Sequence, residues 1–402
     1  MKTFKKSLIS AVITGAMATV VSGAALAESD GKIKLGILAD MGGTYADICG
    51  QGCVTAAEMA IEDFGGKALG QEIELVTADS QLKPDIASSI ARKWVEAEDV
   101  DAIGGLVSSA VSGAVSKVNL NAKKLTLISG SASNTFTTKS CNPYNVHWTY
   151  NVVALANGTV KPMVQSGKKK WFFITADYSF GHALEGVASK VIKENGGEVV
   201  GTIRAPLGTT DFSSYVLQAQ ASGADVVALA NAGNDTVNAL KTATEFGLTQ
   251  EMDVAGLLVF TPNAQAMDAD VAGGMRLTSG FYWDMDEKTR QWSQRFEERH
   301  GAIPSMIHAG VYSVTTHYLN AVKAVGSDNA EAIAKKMKET KPEDFFARNA
   351  TLRPDGRMVH DMLYVEIKKA AERKDQNDIY KVLKVIPADE AYSPMLPQCN
   401  FS

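Results

Sequence analysis

With 402 residues, 45% of them hydrophobic, the chain has enough apolar material for two domains with substantial cores. Its 40 Lys and Arg against 45 Asp and Glu, a formal net charge of −5, exclude nucleic acid or a strongly anionic surface as the main partner. Lys2, Lys5 and Lys6 precede an apolar stretch from Leu8 to Val21, and small residues follow up to Ala25-Leu26-Ala27. This is the pattern of a secretory signal peptide, residues 1–27, cleaved after Ala27. No later stretch approaches the roughly 20 apolar residues of a membrane span, so the exported chain is expected in the periplasm.

Lys32 to Leu38 reads as a strand, and a helix follows from about Gly52 to Phe64. Ile73 to Thr77 is the next strand, and Pro84 opens a helix to Glu98, in the first turn where its missing N–H is harmless. Strands end at Leu106 and Ile128, with a helix over 110–120 between them. Short apolar strands separated by amphipathic helices predict a parallel sheet covered on both faces. After an extended crossover, Tyr144 to Tyr150, the pattern restarts. Strands are predicted over 170–175, 198–204, 225–230 and 253–259, with helices over 180–195, 213–222, 235–246 and 262–268. Arg276 to Trp283 is extended again, helices cover 287–300 and 307–325, and a β-rich tail closes the chain over 350–367 and 379–385. The fold class is therefore α/β: two doubly wound parallel-sheet lobes joined by three hinge crossings. The first lobe is expected to comprise residues 28–147 plus 281–350, and the second 148–280 plus 351–402 with the tail. Ligands of open α/β sheets bind at the carboxyl strand ends, which here places a cleft over the hinge.

Two of those strand ends run into small hydroxylated clusters, Ser108 with Ser109, and Ser129, Ser131 and Ser133. Backbone N–H groups at a helix start point outward unpaired, and serine hydroxyls add donors without charge, so two such turns side by side form a cradle for one carboxylate. Isolated serines before helices more often serve only as N-caps. The four cysteines are best paired Cys49 with Cys53, in CGQGC, and Cys141 with Cys399; free buried thiols remain the alternative. The six histidines show no ligand spacing near a cysteine, so no metal is expected, and nothing implies a cofactor. No nucleophile elbow, dinucleotide loop, phosphate loop or H-E-x-x-H motif occurs, and Asp177 beside His182 is the one local pairing of catalytic type. The chain is not expected to be an enzyme.

The segments LGILADMGGTYADICGQGCVTAAEMAIEDFGG, IGGLVSSAVSGAV, YNVHWTYN, ITADYSFGHALEGVASKVIKENGGEVV and HAGVYSVTTHYLNAV, in this order, resemble the extracellular solute-binding proteins of branched-chain amino acid type ABC importers, with the class I periplasmic binding protein fold. The resemblance implies a small-molecule carboxylate as ligand, the membrane permease subunits as partners, and a monomer. It places the ligand carboxylate against Ser108 and Ser109, and against Ser131, Ala132 and Ser133. Phe180 is the aromatic residue that closes over the ligand, with Tyr45 and Tyr150 as further walls. Two departures stand out. Leu258 occupies the place of the acidic residue that holds an amino acid's ammonium, and a second-lobe tyrosine is replaced by the run Asn231 to Asp235. Burying an ammonium without a counter-charge costs several kcal/mol, so a site with Leu258, Phe260 and Phe180 is expected to take a carboxylate with an apolar or aromatic body. LADMGGTYAD, CNPYNVHWTYN and ADYSFGHALE also look more like the members that take up benzoates and phenylpropanoids. Asp235 is read as an N-cap, or as the ammonium partner if the ligand is an amino acid; Asn231 would help to read an amide. Tyr282, with Trp283 and Asp284, is either a ligand contact or hinge packing. A sensor that hands its closed form to a membrane receptor is the competing reading.

Overall fold

The computed structural model describes residues 31–402; the expected signal segment lies outside the described residues. The first sheet is built from β1 (Ile33–Ala39), β2 (Lys67–Ala68), β3 (Gln71–Asp79), β4 (Ala102–Gly104), β5 (Leu125–Ile128) and β6 (Asn145–His147). Its spatial order is β2-β3-β1-β4-β5-β6, parallel throughout except for the β2/β3 hairpin. The second is built from β7 (Lys170–Ala176), β8 (Glu198–Ala205), β9 (Val226–Ala230), β10 (Asp253–Gly256) and β11 (Arg276–Ser279). After a small hairpin of β12 (Thr351–Leu352) and β13 (Met358–Val359), β14 (Met362–Ile367) and β15 (Tyr380–Ile386) complete it. Its order is β15-β14-β11-β10-β9-β7-β8, with β14 and β15 antiparallel. This is the doubly wound two-sheet architecture expected, with an antiparallel edge added by the tail.

The central strands are apolar throughout because helices cover both faces: LTLI of β5 and VVALA of β9 are buried at every position. Chain order and sheet membership part company after β11. Helices Glu287–His300 and Met306–Val325 return to pack on helix Gly50–Phe64 beside the first sheet. Their ends are written locally: Asp286 and Ser305 accept first-turn N–H bonds, and Gly301 and Gly326 close them in left-handed conformation. The chain thus crosses between sheets three times, after β6, after β11 and before β14.

Two details differ from expectation. The strands predicted to reach Leu106 and Val259 stop at Gly104 and Gly256; of the residues freed, Leu258 lines the cleft while Leu106 and Val259 pack into the cores. Helix Ala330–Glu339, capped by Asn329 and packed on Met306–Val325, was not predicted. The expected bridge between Cys141 and Cys399 is present, and it ties the end of the tail to the loop between β5 and β6. The other disulfide joins Cys49 to Cys53 across the start of helix Gly50–Phe64.

Cross-links that close long loops remove much unfolded-state entropy, typically 2–4 kcal/mol. Cys399→Ser together with Cys141→Ser should lower unfolding free energy by about that amount. Limited proteolysis should then cut residues 387–402 first, at sites resistant in the wild type. Unchanged protection of that tail would show that packing alone holds it.

Candidate functional site

One cleft lies between the two sheets, and its walls come from carboxyl strand ends. Tyr45 and Ile48 follow β1, Val107 follows β4, and Gly130 and Ala132 follow β5. From the opposite sheet, Tyr178 and Phe180 follow β7, Ala232 follows β9, and Leu258 and Phe260 follow β10. Tyr150 enters from the first crossing. The arrangement follows from topology, because parallel strands deliver every connecting loop to the same edge. The cavity enclosed is about 10 Å³, the scale of a single water. The structure is therefore that of a closed pair of lobes.

Helix starts converge on this cleft. Helices Gly50–Phe64, Ser109–Ala122, Ser179–Glu194, Asn234–Glu245 and Thr261–Ala266 begin beside cleft-lining residues, with Cys49, Ser108, Tyr178, Gly233 and Phe260 at their N-cap positions. None of the five supplies a side-chain cap. Of the helices that begin away from the cleft, those after Asp286, Ser305 and Asn329 have one, whereas Pro84–Ala97 and Ser213–Gln220 do not. The positive ends of several helix dipoles are thus left pointing toward one small volume.

The serines expected to form the cradle are placed unevenly. Ser131 turns its hydroxyl into the lobe, donating to the Leu106 carbonyl at 3.1 Å and meeting Ser112 Oγ, while its own carbonyl meets His147 Nε2 at 2.7 Å. Ser133 Oγ accepts from Thr135 N at 3.3 Å as an N-cap, and Ser109 Oγ accepts from Ser133 N at 3.3 Å. Ser108 is buried at the N-cap of helix Ser109–Ala122, its carbonyl accepting from Ser112. What lines the cleft here is Val107, Gly130 and Ala132, neighbours of those serines rather than their hydroxyls. The Ser131 and Ser109 hydroxyls link the two strand ends, and that of Ser133 caps its own turn.

The aromatic walls meet across the lobes. Tyr45 and Tyr178 share a hydroxyl–hydroxyl hydrogen bond of 2.7 Å, and burial raises both phenols above their ordinary pKa. Tyr150 donates to the Gly130 carbonyl at 2.5 Å and sets its ring edge-on to Phe260, 6.0 Å between centroids. Phe180 lies against Tyr178. Gly233, with φ +62° and ψ −140°, packs directly on the first-lobe loop, where a Cβ would stand 2.6 Å from the Thr44 carbonyl oxygen and 2.8 Å from Tyr45 Cδ1. Tyr178 was missed from the sequence because a single aromatic two residues before another looks like strand-end packing.

Asp235 is not the N-cap of its helix, which is Gly233. It sits in the first turn, where both carboxylate oxygens accept from Gly208 N, at 3.1 and 3.2 Å, clamping the loop after β8. Burial lifts its pKa to about 6, opposed by the Gly208 N–H. Asn231 is buried, its Oδ1 accepting from Thr236 Oγ1 at 2.7 Å. Tyr282 is not brought to the cleft: its hydroxyl accepts from Ile379 N at 3.1 Å and Tyr380 N at 3.3 Å. Trp283 Nε1 donates to the Asn377 carbonyl at 2.8 Å, so this pair pins the tail strand. Asp177 and His182 form an exposed pair at 2.8 Å.

Comparison with known proteins agrees with this architecture. The Periplasmic binding protein family matches residues 32–373. A periplasmic binding protein from Burkholderia mallei is 44% identical, with a TM-score of 0.89 over 92% of this chain and 98% of the other. A branched chain amino acid ABC transporter periplasmic ligand-binding protein from Burkholderia xenovorans LB400 is 37% identical, with a TM-score of 0.81 over 90% and 97%. The Leu/Ile/Val-binding protein homolog 6 of Brucella melitensis is 24% identical over 87% of this chain and 91% of its own. The chain belongs to the periplasmic binding protein family, in the branched-chain amino acid type of ABC solute-binding proteins with the class I fold. That family is one of transport proteins, not enzymes.

Two predictions follow from this geometry. A carboxyl whose folded pKa is raised favours the fold below its unfolded value, and that contribution is lost as pH climbs through the folded value. Between pH 3.8 and about 6, Asp235→Asn should therefore gain stability relative to wild type as pH rises, and the difference should level off above that window. A melting-temperature difference that is flat across it would remove the titration from Asp235. Gly233→Ala should obstruct lobe contact: small-angle scattering in the presence of a ligand that compacts the wild type should retain the open profile.

Proposed function

We propose that the protein is the periplasmic receptor of an ABC importer for a small aromatic carboxylate, such as a benzoate or phenylpropanoid, which it captures as a monomer by hinge closure and presents to the permease subunits. The observation that carries this reading is the convergence of five uncapped helix starts on a cleft walled by Tyr45, Tyr150, Tyr178, Phe180, Phe260 and Leu258. Backbone N–H groups at helix starts suit a carboxylate. Aromatic and aliphatic walls suit a ring, and Leu258 offers nothing to an ammonium. The carboxylate end is assigned to the turns Val107–Ser109 and Gly130–Ser133, and the ring to the space between Tyr150 and Phe180. Because the closed cavity is only about 10 Å³, entry of a ring requires the lobes to part. Ligand then bridges the two lobes and stabilises a closed surface that the open form lacks. An export segment at residues 1–27 and the absence, among the described residues, of a helix long and apolar enough to cross a membrane both accord with a periplasmic receptor.

An amino acid is the second reading, favoured by Asp235, a buried carboxylate whose charge reaches both Tyr45 and Tyr178 across the lobe contact. A ligand that binds only the native state stabilises it by RT ln(1 + [L]/Kd), about 2.7 kcal/mol at a hundredfold excess over Kd. A thermal-shift panel of benzoate, hydroxybenzoates, cinnamates and phenylacetate against leucine, isoleucine, valine, amides and urea should therefore show shifts in the first group only. A shift with leucine or valine and none with any aromatic acid would overturn the aromatic reading. In that case Asp235→Asn should abolish the shift.

A further inference from the structure

The three chain crossings meet at one point, and side chains outside the ligand cleft hold them there. The first crossing presents three consecutive carbonyl oxygens, those of Trp148, Thr149 and Tyr150, and each faces a side chain from the third. Arg357 Nη2 donates to Trp148 O, Arg357 Nη1 donates to Tyr150 O at 2.8 Å, and His360 Nε2 lies 2.6 Å from Thr149 O. His360 Nδ1 faces a second carbonyl, that of Asp361, at 2.9 Å. A neutral ring donates through one nitrogen only, and the shorter contact assigns that proton to Nε2. The second crossing enters through Gly280, where a Cβ would stand 3.2 Å from His360 Cε1 and 3.4 Å from Thr149 O.

Arg357 is wholly buried, and the hydrogen bonds of its guanidinium go to carbonyls, with Met358 O taking Nε at 2.8 Å and the Tyr392 ring 4.8 Å from its central carbon. A buried cation met by dipoles instead of a carboxylate is an expensive way to fill space. What it supplies is geometry, because the rigid planar fork fixes two carbonyls two residues apart and so orients the Trp148–Thr149 and Tyr150–Asn151 peptide planes, while His360 meets the carbonyl of the plane between them. Tyr150, pinned there by its main chain, reaches with its hydroxyl to Gly130 at the strand end that lines the cleft.

We propose that Arg357 and His360 are positioning residues for ligand capture: they lock the first and third crossings into one rigid body, so that Tyr150 returns to the same place at each closure. The lobes then rotate about the ends of this body and not within it. This rests on capture by hinge closure, but the measurement that tests it needs no ligand. Nitroxide labels on Lys117→Cys and Lys190→Cys, exposed positions on helices of the first and second lobes, report the inter-lobe distance in the full chain with its disulfides intact. The unsubstituted clamp should give narrow distance populations. Arg357→Lys, which keeps the charge but not the fork, and His360→Gln should each at least double the width at a temperature where near-ultraviolet dichroism shows a folded core. Added benzoate should fail to restore the narrow distribution. If both folded variants keep the original widths, the clamp is structural only and the proposal falls, even if their melting temperatures drop. Should Arg357→Lys not fold, His360→Gln decides by the same reading. Failure of benzoate to bind the unsubstituted protein would count against the ligand assignment alone.

Discussion

The rest of the structure depends on keeping the carboxyl edges of two parallel sheets face to face. Each sheet alone has the ordinary consequence of parallel topology, that every loop after a strand emerges on one side. Opposing two such edges puts ten loop residues and Tyr150 around one small volume. The connection that makes this possible is not local in sequence. The chain leaves the first sheet after β6, builds the second, goes back to pack Met306–Val325 on Gly50–Phe64, and then returns to add β14 and β15 to the second sheet. The three crossings converge at Thr149, Gly280 and His360.

The electrostatics of the cleft follow from the same geometry. A helix follows each strand end, so helix starts collect where the strand ends do. Cys49, Ser108, Tyr178, Gly233 and Phe260 supply no side-chain cap, so no capping side chain competes there with the anion proposed above, although Asn234 N donates to the Thr44 carbonyl. Asp235 offsets part of that positive field, and burial makes it partly protonated near pH 6. Its two bonds from Gly208 N show that it also has a mechanical task, holding the loop after β8 beside Thr44.

The lobes meet directly in this structure, and Asn234 N also donates to the Thr44 carbonyl across the contact at 3.5 Å. The Tyr45–Tyr178 hydrogen bond and the packing of Gly233 on Thr44 join surfaces that parting of the lobes would separate. A single neutral hydrogen bond contributes about 1 kcal/mol. Such a contact by itself is weak, which fits the proposal that a ligand touching both sides shifts the balance between open and closed.

Local sequence determined the parts with a local cause. Apolar runs such as LTLI and VVALA read as buried parallel strands, Pro84 marked a helix start, and the alternation of strands and helices declared two sheets. The aromatic and aliphatic character of the cleft was also legible, because Tyr45, Tyr150, Phe180 and Leu258 stand at strand ends whatever their orientation. Direction was not legible. Ser131 and Ser133 lie in the right turn, yet their hydroxyls bond within the lobe, since a serine's partner depends on which backbone groups reach it. Tyr282 could be read as a ligand contact or as hinge packing; it is not among the cleft residues, and its hydroxyl accepts from Ile379 N, nearly a hundred positions along the chain. Tyr178, Gly233 and Arg357 acquire their roles only when the second lobe meets the first, because hydrogen bonds and close approaches between distant segments have no signature in the order of residues on either one.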